Sequence, residues 1–489
     1  MSVGQSAEHH GCERKSIQRD EELERFQHER RRDQSQEVDM SGIRSHAFAL
    51  SEKSEGRYDE LLHQIGDAEI VLIGESTHGT REMAEERCKI TERLIEEKGF
   101  SLVVLEADLV DMDRVDRYVR GASRDDSAAA ALSGFKQYPL WMWRNTVMEE
   151  FVEWARRHNE TIFSGGKPSG HEVSLHGFDL HHLYQSMECV IEYLQKKDPK
   201  AAERAKQRYA AIAQFAPDPH EYGFAAAARA QPIGEPDVTC ELTELRQMGP
   251  AAASRADARG ARCQDDEHHF AILNGLAVRN GAAYYRKVYE AYEAAWSVRD
   301  RHMFETLVEL KENCERRCGR PCKVVVWAHN CHVSDARATE IAWDWHQINL
   351  GQLVKEKYGD KALIIGFSTH YGSLTAAPDW GAPGQCVRLK PSVPGTLGSV
   401  LNQVSPAPFL LDCTRVEPRE LCIWKRSIGL VYREDGDERE NYYRANVFQM
   451  FDKIIFIPKT SAVEPLDKES VWKRPEKEDE MPMTYPPGI

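Results

Sequence analysis

No stretch of this 489-residue chain approaches the ~18 consecutive apolar residues that a membrane-spanning helix needs. Its first residues are charged where a secretion signal would carry an apolar core, so no membrane partner is expected and the cytoplasm is the expected compartment. A surplus of basic residues is also missing. Lys and Arg number 64 against 79 Asp and Glu, a formal net charge of -15, which disfavours nucleic acid as a partner because phosphate binding needs a basic face. The 12 cysteines lack paired spacing and are expected to be reduced. Cys314, Cys318 and Cys322 recur at intervals of four, followed by Cys331, but without CxxC pairs they read as helix-end thiols rather than a zinc site. No G-x-S-x-G elbow follows any candidate strand, and Ser76 in "GEST" lacks the glycine spacing, which argues against a covalent serine mechanism. The absence of a Walker loop and of G-x-G-x-x-G argues against nucleotide-dependent chemistry.

What remains is a globular composition, 41% hydrophobic and 29% charged, on a chain long enough for two or three domains or for one large domain with a helical insertion. Residues 1–43 are polar and charged, with too few large apolar groups to bury a face, and are expected to form a mobile extension; the tail 466–489 has the same character. Between them lie short apolar runs bounded by charged or turn residues: "EIVLIG" from Glu69, "SLVVLEA" from Ser101, "SLHGFDL" from Ser174, "KVVVWAHN" from Lys323, "ALIIGFS" from Ala362 and "KIIFIP" from Lys453. Each fits a strand buried on both faces. Helical spacing of Met83, Cys88, Ile90, Leu94 and Ile95, closed by Gly99, places a helix between the first two and makes a βαβ unit. The expected architecture is α/β, a central and mostly parallel sheet covered by helices, with a large inserted helical subdomain. Its core falls in two parts, 44–182 and 318–465, separated by the helical insertion 183–317, within which 217–263 reads as a loop.

In open parallel sheets a ligand crevice lies outside the carboxyl ends of the strands. The residues found there are carboxylates and imidazoles. The first run ends in Glu75 and His78, the second in Glu106 and Asp108, the third in Asp179, His181 and His182; His329 and His332 follow the fourth, Ser368 and His370 the fifth. Such a cluster suits water activation, because carboxylates fix the tautomer of a histidine and stabilise its imidazolium. Glu75, three residues before His78, shares its pocket, and Glu106 is expected from the neighbouring strand. Two or three His with two Glu are also a possible divalent-metal set, which would lower the pKa of bound water by itself. Metal-free base catalysis is favoured here because ExxH is a weaker signature than HExxH on a helix, and no cofactor is firmly implied.

Several separated motifs then resemble the erythromycin esterase-like family, from about Ser45 to Leu466: "VLIGESTHGTREM", "ITERLIEEKGFSLVVLEAD", "WMWRNTVMEEFVEWARRHN", "LHGFDLH", "NGAAYYR" with "AAWSVRDRHMFETL", "VVVWAHNCHVSDA" and "NYYRANVFQMFDKIIFIPKTSAVEPL". The resemblance implies a hydrolase in which the histidine of the first motif, His78, is the base, with Glu75 and Glu106 as its acidic partners. By the same carry-over His329 and His332 line the pocket, and Arg87 on the first helix neutralises a carboxylate or steadies an oxyanion. It further implies a small-molecule ester or macrolide-like lactone as substrate, whereas a non-catalytic metabolite-binding or biosynthetic member is the alternative. Candidate substrate contacts are Asp179 and His370 at strand ends, with Tyr285, Arg286 and Trp296 on the inner helices. Arg286, Arg299 and Arg301 are equally suited to bind a polar substrate group or to pair with Glu within the helices.

Overall fold

The computed structural model describes residues 40–50, 56–164, 172–229, 232–249, 264–417, 421–433, 441–467 and 472. Eleven strands are described: β1 (Ala47–Ala49), β2 (Ile70–Ile73), β3 (Leu102–Asp108), β4 (Ser174–Asp179), β5 (Val324–Trp327), β6 (Ala362–Ala376), β7 (Gln385–Leu389), β8 (Phe409–Asp412), β9 (Cys422–Arg426), β10 (Tyr442–Asn446) and β11 (Lys453–Thr460). Nine form one sheet in the order β1-β8-β11-β6-β2-β5-β3-β4, with β7 paired to β6, while β9 and β10 make a separate ribbon. The run β11-β6-β2-β5-β3-β4 is parallel throughout, and β1, β7 and β8 join it antiparallel. This is the mostly parallel α/β sheet that the apolar runs predicted.

The strands alternate their side chains between two apolar layers, as a pleat of period two requires. Val71, Ile73, Val103, Leu105, Val325 and Trp327 face one layer, where Met83, Ile90 and Leu94 of α1 (Arg81–Lys98) also sit. Ile70, Leu72, Leu102, Val104, Val324 and Val326 face the other. There they meet Met303, Leu307 and Leu310 of a long helix beyond residue 292. Helix α1 ends where Gly99 adopts φ 72°, a left-handed turn that costs glycine least.

Helices α2 (Leu109–Val119) and α3 (Thr146–Ser164) follow, and beyond β4 the chain becomes helical: α4 (Leu183–Lys197), α5 (Pro199–Ala213), α6 (Pro219–Ala227), α7 (Glu235–Met248), α8 (Gln264–Glu290) and α9 (Tyr292–Cys318). Leu183, Val190, Tyr209, Tyr222, Leu242, Leu276 and Tyr285 share a third apolar cluster between them. Two of these helices fall where a loop was expected. Pro219 occupies the first turn of α6, where its missing N–H costs nothing, and Asp218 caps that helix by accepting from the His220 N–H; Pro236 likewise sits at the start of α7. Residues 230–231 and 250–263 lie outside the described residues.

Other differences come at the edges. Ile43 is buried in a short helix, Met40–Ser45, so packing begins inside the segment expected as a polar extension, whose first 39 residues lie outside the described ones. Most of the polar tail also lies outside them, but Trp472 is buried and donates its indole N–H to Thr375. Strand β6 runs fifteen residues, so Ser368 and His370 sit within it rather than past its end. Among the described residues no helix is long and apolar enough to cross a membrane.

Candidate active site

The strand order decides which strand ends meet. Ile73 of β2 pairs with Trp327 of β5, and Trp327 pairs with Leu105 of β3, so β5 lies between β2 and β3 rather than the two being neighbours as expected. The segments following these three strands carry Glu75 and His78, then His329 and His332, while Glu106 lies one residue past the paired Leu105. The three ends are locked together by backbone. The Asn330 N–H donates to the Glu75 carbonyl (2.8 Å), and the His329 N–H donates to Glu106 Oε2 (2.7 Å). Gly74 is required at this join, since a Cβ there would lie 2.2 Å from Asn330 Oδ1. Asn330 in turn bonds both the N–H and the carbonyl of Phe367 in β6.

Glu75 is 1% exposed and divides its carboxylate between two cationic partners. Oε1 lies 2.9 Å from His78 Nδ1 and Oε2 lies 2.8 Å from Arg87 of α1. Arg87 lies over the Trp327 ring, 5.2 Å from its centroid. Burial opposes ionisation of Glu75, but Arg87 and His78 outweigh it and hold the carboxyl below the usual range. Burial likewise opposes the His78 imidazolium, while the hydrogen bond and charge of Glu75, helped by Glu106, raise its pKa. The His78 and His329 rings are 4.9 Å apart between centroids.

Glu106 belongs to a second knot of charge. Arg299 of α9 reaches Glu106 (2.8 Å) and both oxygens of Asp179 (2.6 and 3.0 Å), tying the ends of β3 and β4 together. His332 sits within this knot: Nδ1 is 2.9 Å from Asp300 and Nε2 is 3.2 Å from Glu106. Its ring stacks on Trp296 at 4.5 Å and 6°. Burial works against the imidazolium of His332, but Asp300 and Glu106 together raise its pKa well above the ordinary value. Arg299 Nη1–H, 3.0 Å away, donates to Nε2 in the neutral ring, whereas the imidazolium directs Nε2–H to Glu106. Burial opposes ionisation of Glu106 too; His332 and Arg299 overcome it and hold the group well below the usual carboxylate range. Glu75, Glu106, Asp179 and Asp300 are buried carboxylates facing the guanidiniums of Arg87 and Arg299, so with His332 protonated the assembly keeps one negative charge, which is balanced when His78 takes up a proton.

His329 is different. Burial, then the charge of His78, push its pKa down to about 3, so it is neutral. Its Nδ1 is 2.9 Å from Cys331 Sγ and 3.3 Å from the Cys331 N–H, and its Nε2 is buried without a hydrogen-bond partner among the described residues.

Most donors of a divalent-metal set are already engaged here. The carboxylate oxygens of Glu75 and Glu106 and the ring nitrogens of His332 already face cations or each other, and no group of three or more His, Cys, Asp or Glu among the described residues is arranged to hold a metal. Cys314, Cys318 and Cys322 are thiols, none of them in a disulfide.

Of the candidate substrate contacts, Asp179 and Trp296 join the cluster as described. Tyr285 donates to the His181 carbonyl (3.1 Å) from a run of rings leading outward from Asp179. His181, Tyr284, Tyr285, His220, Tyr289 and Phe224 follow one another with centroids 5.1–6.1 Å apart, ending at Phe224, 66% exposed. The remaining two are held by other partners. Arg286 is bound by Glu235 and Glu290, and His370 accepts the Ser392 N–H and faces Arg426. Arg301 is exposed. Asp300 was not singled out from sequence, although its place on the Met303–Leu307–Leu310 face of α9 was a signal: a carboxylate on a buried stripe needs a partner. Cys331 and Lys425 were missed as site residues too. Lys425 is 1% exposed, donates to Tyr443 (2.8 Å), and burial pushes it down to about 7.

Comparison with known proteins places this site in context. The model of the erythromycin esterase family matches residues 95–460, well over half the chain and a narrower span than the motifs suggested; Glu106, Arg299, His329 and His332 fall inside it, whereas Glu75, His78 and Arg87 precede it. A relative named erythromycin esterase type II, from Escherichia coli, is 21% identical over 336 residues, covering 64% of this chain and 71% of that protein. Among solved structures, one titled a succinoglycan biosynthesis protein is 19% identical with a TM-score of 0.68, covering 87% of this chain and 97% of that one. A Bacillus cereus protein is 19% identical with the same score, covering 88% and 98%. A mutant of the erythromycin esterase EreC in its open conformation is 15% identical with a TM-score of 0.59, covering 84% and 96%. At these identities the solved structures speak for the fold, and the family match settles membership: the chain belongs to the erythromycin esterase family.

Proposed function

We propose that this protein hydrolyses a carboxylic ester or lactone of a bulky small molecule, with His78 as general base. Its support is one observation above all. The Glu75 carboxylate grips His78 Nδ1 and is itself held by Arg87, which leaves His78 Nε2 without a hydrogen-bond partner among the described residues. A histidine so held takes a proton from water at Nε2 and returns it as imidazolium to the departing alkoxide, so the net change is addition of one water across the ester. Arg87 meets Glu75 through Nη2, its Nε and Nη1 having no hydrogen-bond partner among the described residues, and its role is to keep that carboxylate ionised and in place. Glu106, Arg299, Asp179 and His332 form the opposite wall, with His332 a fixed cation rather than the base.

The run of rings from His181 to Phe224 supports a large, weakly polar substrate, since aromatic faces bind apolar rings and the C–H faces of sugars. A macrolactone is the substrate class that the family suggests.

His78→Ala, assayed by mass spectrometry on a panel of macrolactones and simpler esters, is expected to lose about 10²–10⁴-fold in turnover while remaining folded. Hydrolysis at the wild-type rate by this variant would overturn the assignment. A panel on which the wild-type protein turns over nothing yet binds a ligand would favour a binding role instead.

A further inference from the structure

The hydrogen-bonding of His329 fixes where its single proton lies. The Cys331 backbone N–H donates to Nδ1 at 3.3 Å, and the Cys331 thiol lies 2.9 Å from the same nitrogen, which it then meets as a donor. A ring nitrogen that accepts cannot also carry the proton, so in the neutral ring the proton sits on Nε2. That nitrogen is buried, the residue being 3% exposed, and has no hydrogen-bond partner among the described residues. A buried donor left unpaired is costly unless something meets it during function. The ring it belongs to stands 4.9 Å from that of His78, on the middle strand end of the three.

From this arrangement we propose that His329 is a catalytic residue whose Nε2–H donates to the ester carbonyl oxygen as negative charge develops there, and that Cys331 is a positioning residue whose thiol locks the tautomer. The inference rests on the ester-hydrolase reading with His78 as base. The division of labour follows from environment. His78 faces a carboxylate and gains proton affinity, whereas His329 faces a thiol and an amide N–H and stays a neutral donor. A neutral donor suits this task, because it stabilises an oxyanion without giving up its proton before the leaving group needs one. His332 cannot substitute, both of its nitrogens being engaged by Asp300 and Glu106. Lys425, which lowers the proton affinity of His329 electrostatically, helps keep the ring neutral. No bond to Cys331 forms or breaks in this scheme; its S–H remains a donor throughout.

The test combines a spectroscopic readout with kinetics on an activated aryl ester, a substrate small enough not to need the aromatic run. Nitrogen-15 NMR of the wild-type protein with labelled histidine is expected to show His329 neutral and protonated at Nε2; protonation at Nδ1 would overturn the proposal without reference to any variant. His329→Ala is expected to lower kcat about 10²-fold with little change in KM, the effect of removing one oxyanion donor, while His329→Gln, which retains an amide N–H near the Nε2 position, recovers part of it. Cys331→Ala should lower kcat by about tenfold or less, because the backbone N–H at 3.3 Å still holds Nδ1, and Cys331→Ser, which restores a donor, should recover most of that loss. Equal rates for Cys331→Ala and wild type, with the Nε2 tautomer unchanged, would remove Cys331 from the scheme. The two layers of argument fail separately. Activity surviving in His78→Ala refutes the base, whereas a dead His78→Ala beside an unimpaired His329→Ala refutes the donor alone.

Discussion

Replacing Glu75 by Gln changes one oxygen to an amide nitrogen in a group that is 1% exposed, and its effects follow from the two contacts of that carboxylate. The carboxylate makes a charge-assisted hydrogen bond with His78 Nδ1 at 2.9 Å and an ion pair with Arg87 at 2.8 Å. A glutamine that accepts from His78 must turn its NH₂ toward the Arg87 guanidinium, so donor faces donor. Breaking a buried pair from one side costs about 3–5 kcal/mol, and the Trp327 ring that still covers Arg87 places the cost near the lower end. On the reaction, the lost charge weakens support for the imidazolium that forms as water is deprotonated. A hydrogen bond to a charged group contributes about 1.5–3 kcal/mol, and at 1.36 kcal/mol per decade the rate should fall by about ten- to 150-fold. The pH dependence gives the sharper signature. Burial lowers the proton affinity of His78 and Glu75 raises it; with Glu75 neutralised the burial effect prevails, and the acid limb of the rate profile moves to lower pH. Initial rates of ester hydrolysis across the neutral and alkaline range test this directly. A limb that stays put, or moves to higher pH, would refute the claim that Glu75 sets the proton affinity of the base.

Stability should depend on pH in the opposite sense to activity. Glu75 and Glu106, depressed below 4.5, contribute stability that is complete above that value and lost as pH falls through their folded pKa; His78 and His332, raised above 6.5, contribute stability that is complete below 6.5 and lost as pH rises through theirs. These four groups together therefore contribute most between pH 4.5 and 6.5, against the pull of His329 and Lys425, whose depressed values cost stability as pH falls; the Tm difference between wild type and Glu75→Gln should be largest in that window, and a difference that does not shrink on the alkaline side would contradict it. Arg299→Met should cost about 3–5 kcal/mol in urea unfolding, since it leaves Glu106 and Asp179 facing each other without their shared cation; a cost under about 1 kcal/mol would mean that the clamp is not what holds these strand ends. Arg286→Ala removes ion pairs with Glu235 and Glu290 near the surface and should shift stability by about 1 kcal/mol or less, leaving kcat/KM unaltered; a large rise in KM would return Arg286 to the substrate site.

The centre of the sheet was legible because β2 and β5 are unbroken apolar runs, "IVLI" and "VVVW", and β3, β6 and β11 each carry such a run. Strand β1 was not, being three residues whose only assignment comes from pairing with β8 over 360 positions later in the chain. The order of strands was also hidden. Sequence placed Glu75 and Glu106 on neighbouring strands, whereas β5, arriving more than 200 residues later, inserts between them and puts His329 in the middle. Strand-end chemistry pointed to Glu75, His78, Glu106, His329 and His332 because carboxylates and imidazoles directly after buried strands share one end of the sheet. It gave no hint of protonation state, which depends on partners such as Asp300 and Cys331 that only tertiary packing brings into contact.

The keying of Gly74 against Asn330 constrains how such a chain is able to change. Because the loop after β2 and the loop after β5 interlock atom against atom, with Asn330 also clasping β6, neither loop tolerates independent exchange with that of a distant relative. Hybrids built by grafting should survive only when both loops travel together, while the helices from α4 to α8, which touch this lock at few points, are the natural place to graft new ligand preferences. In this chain one missing side chain thus makes two distant loops a single inherited unit.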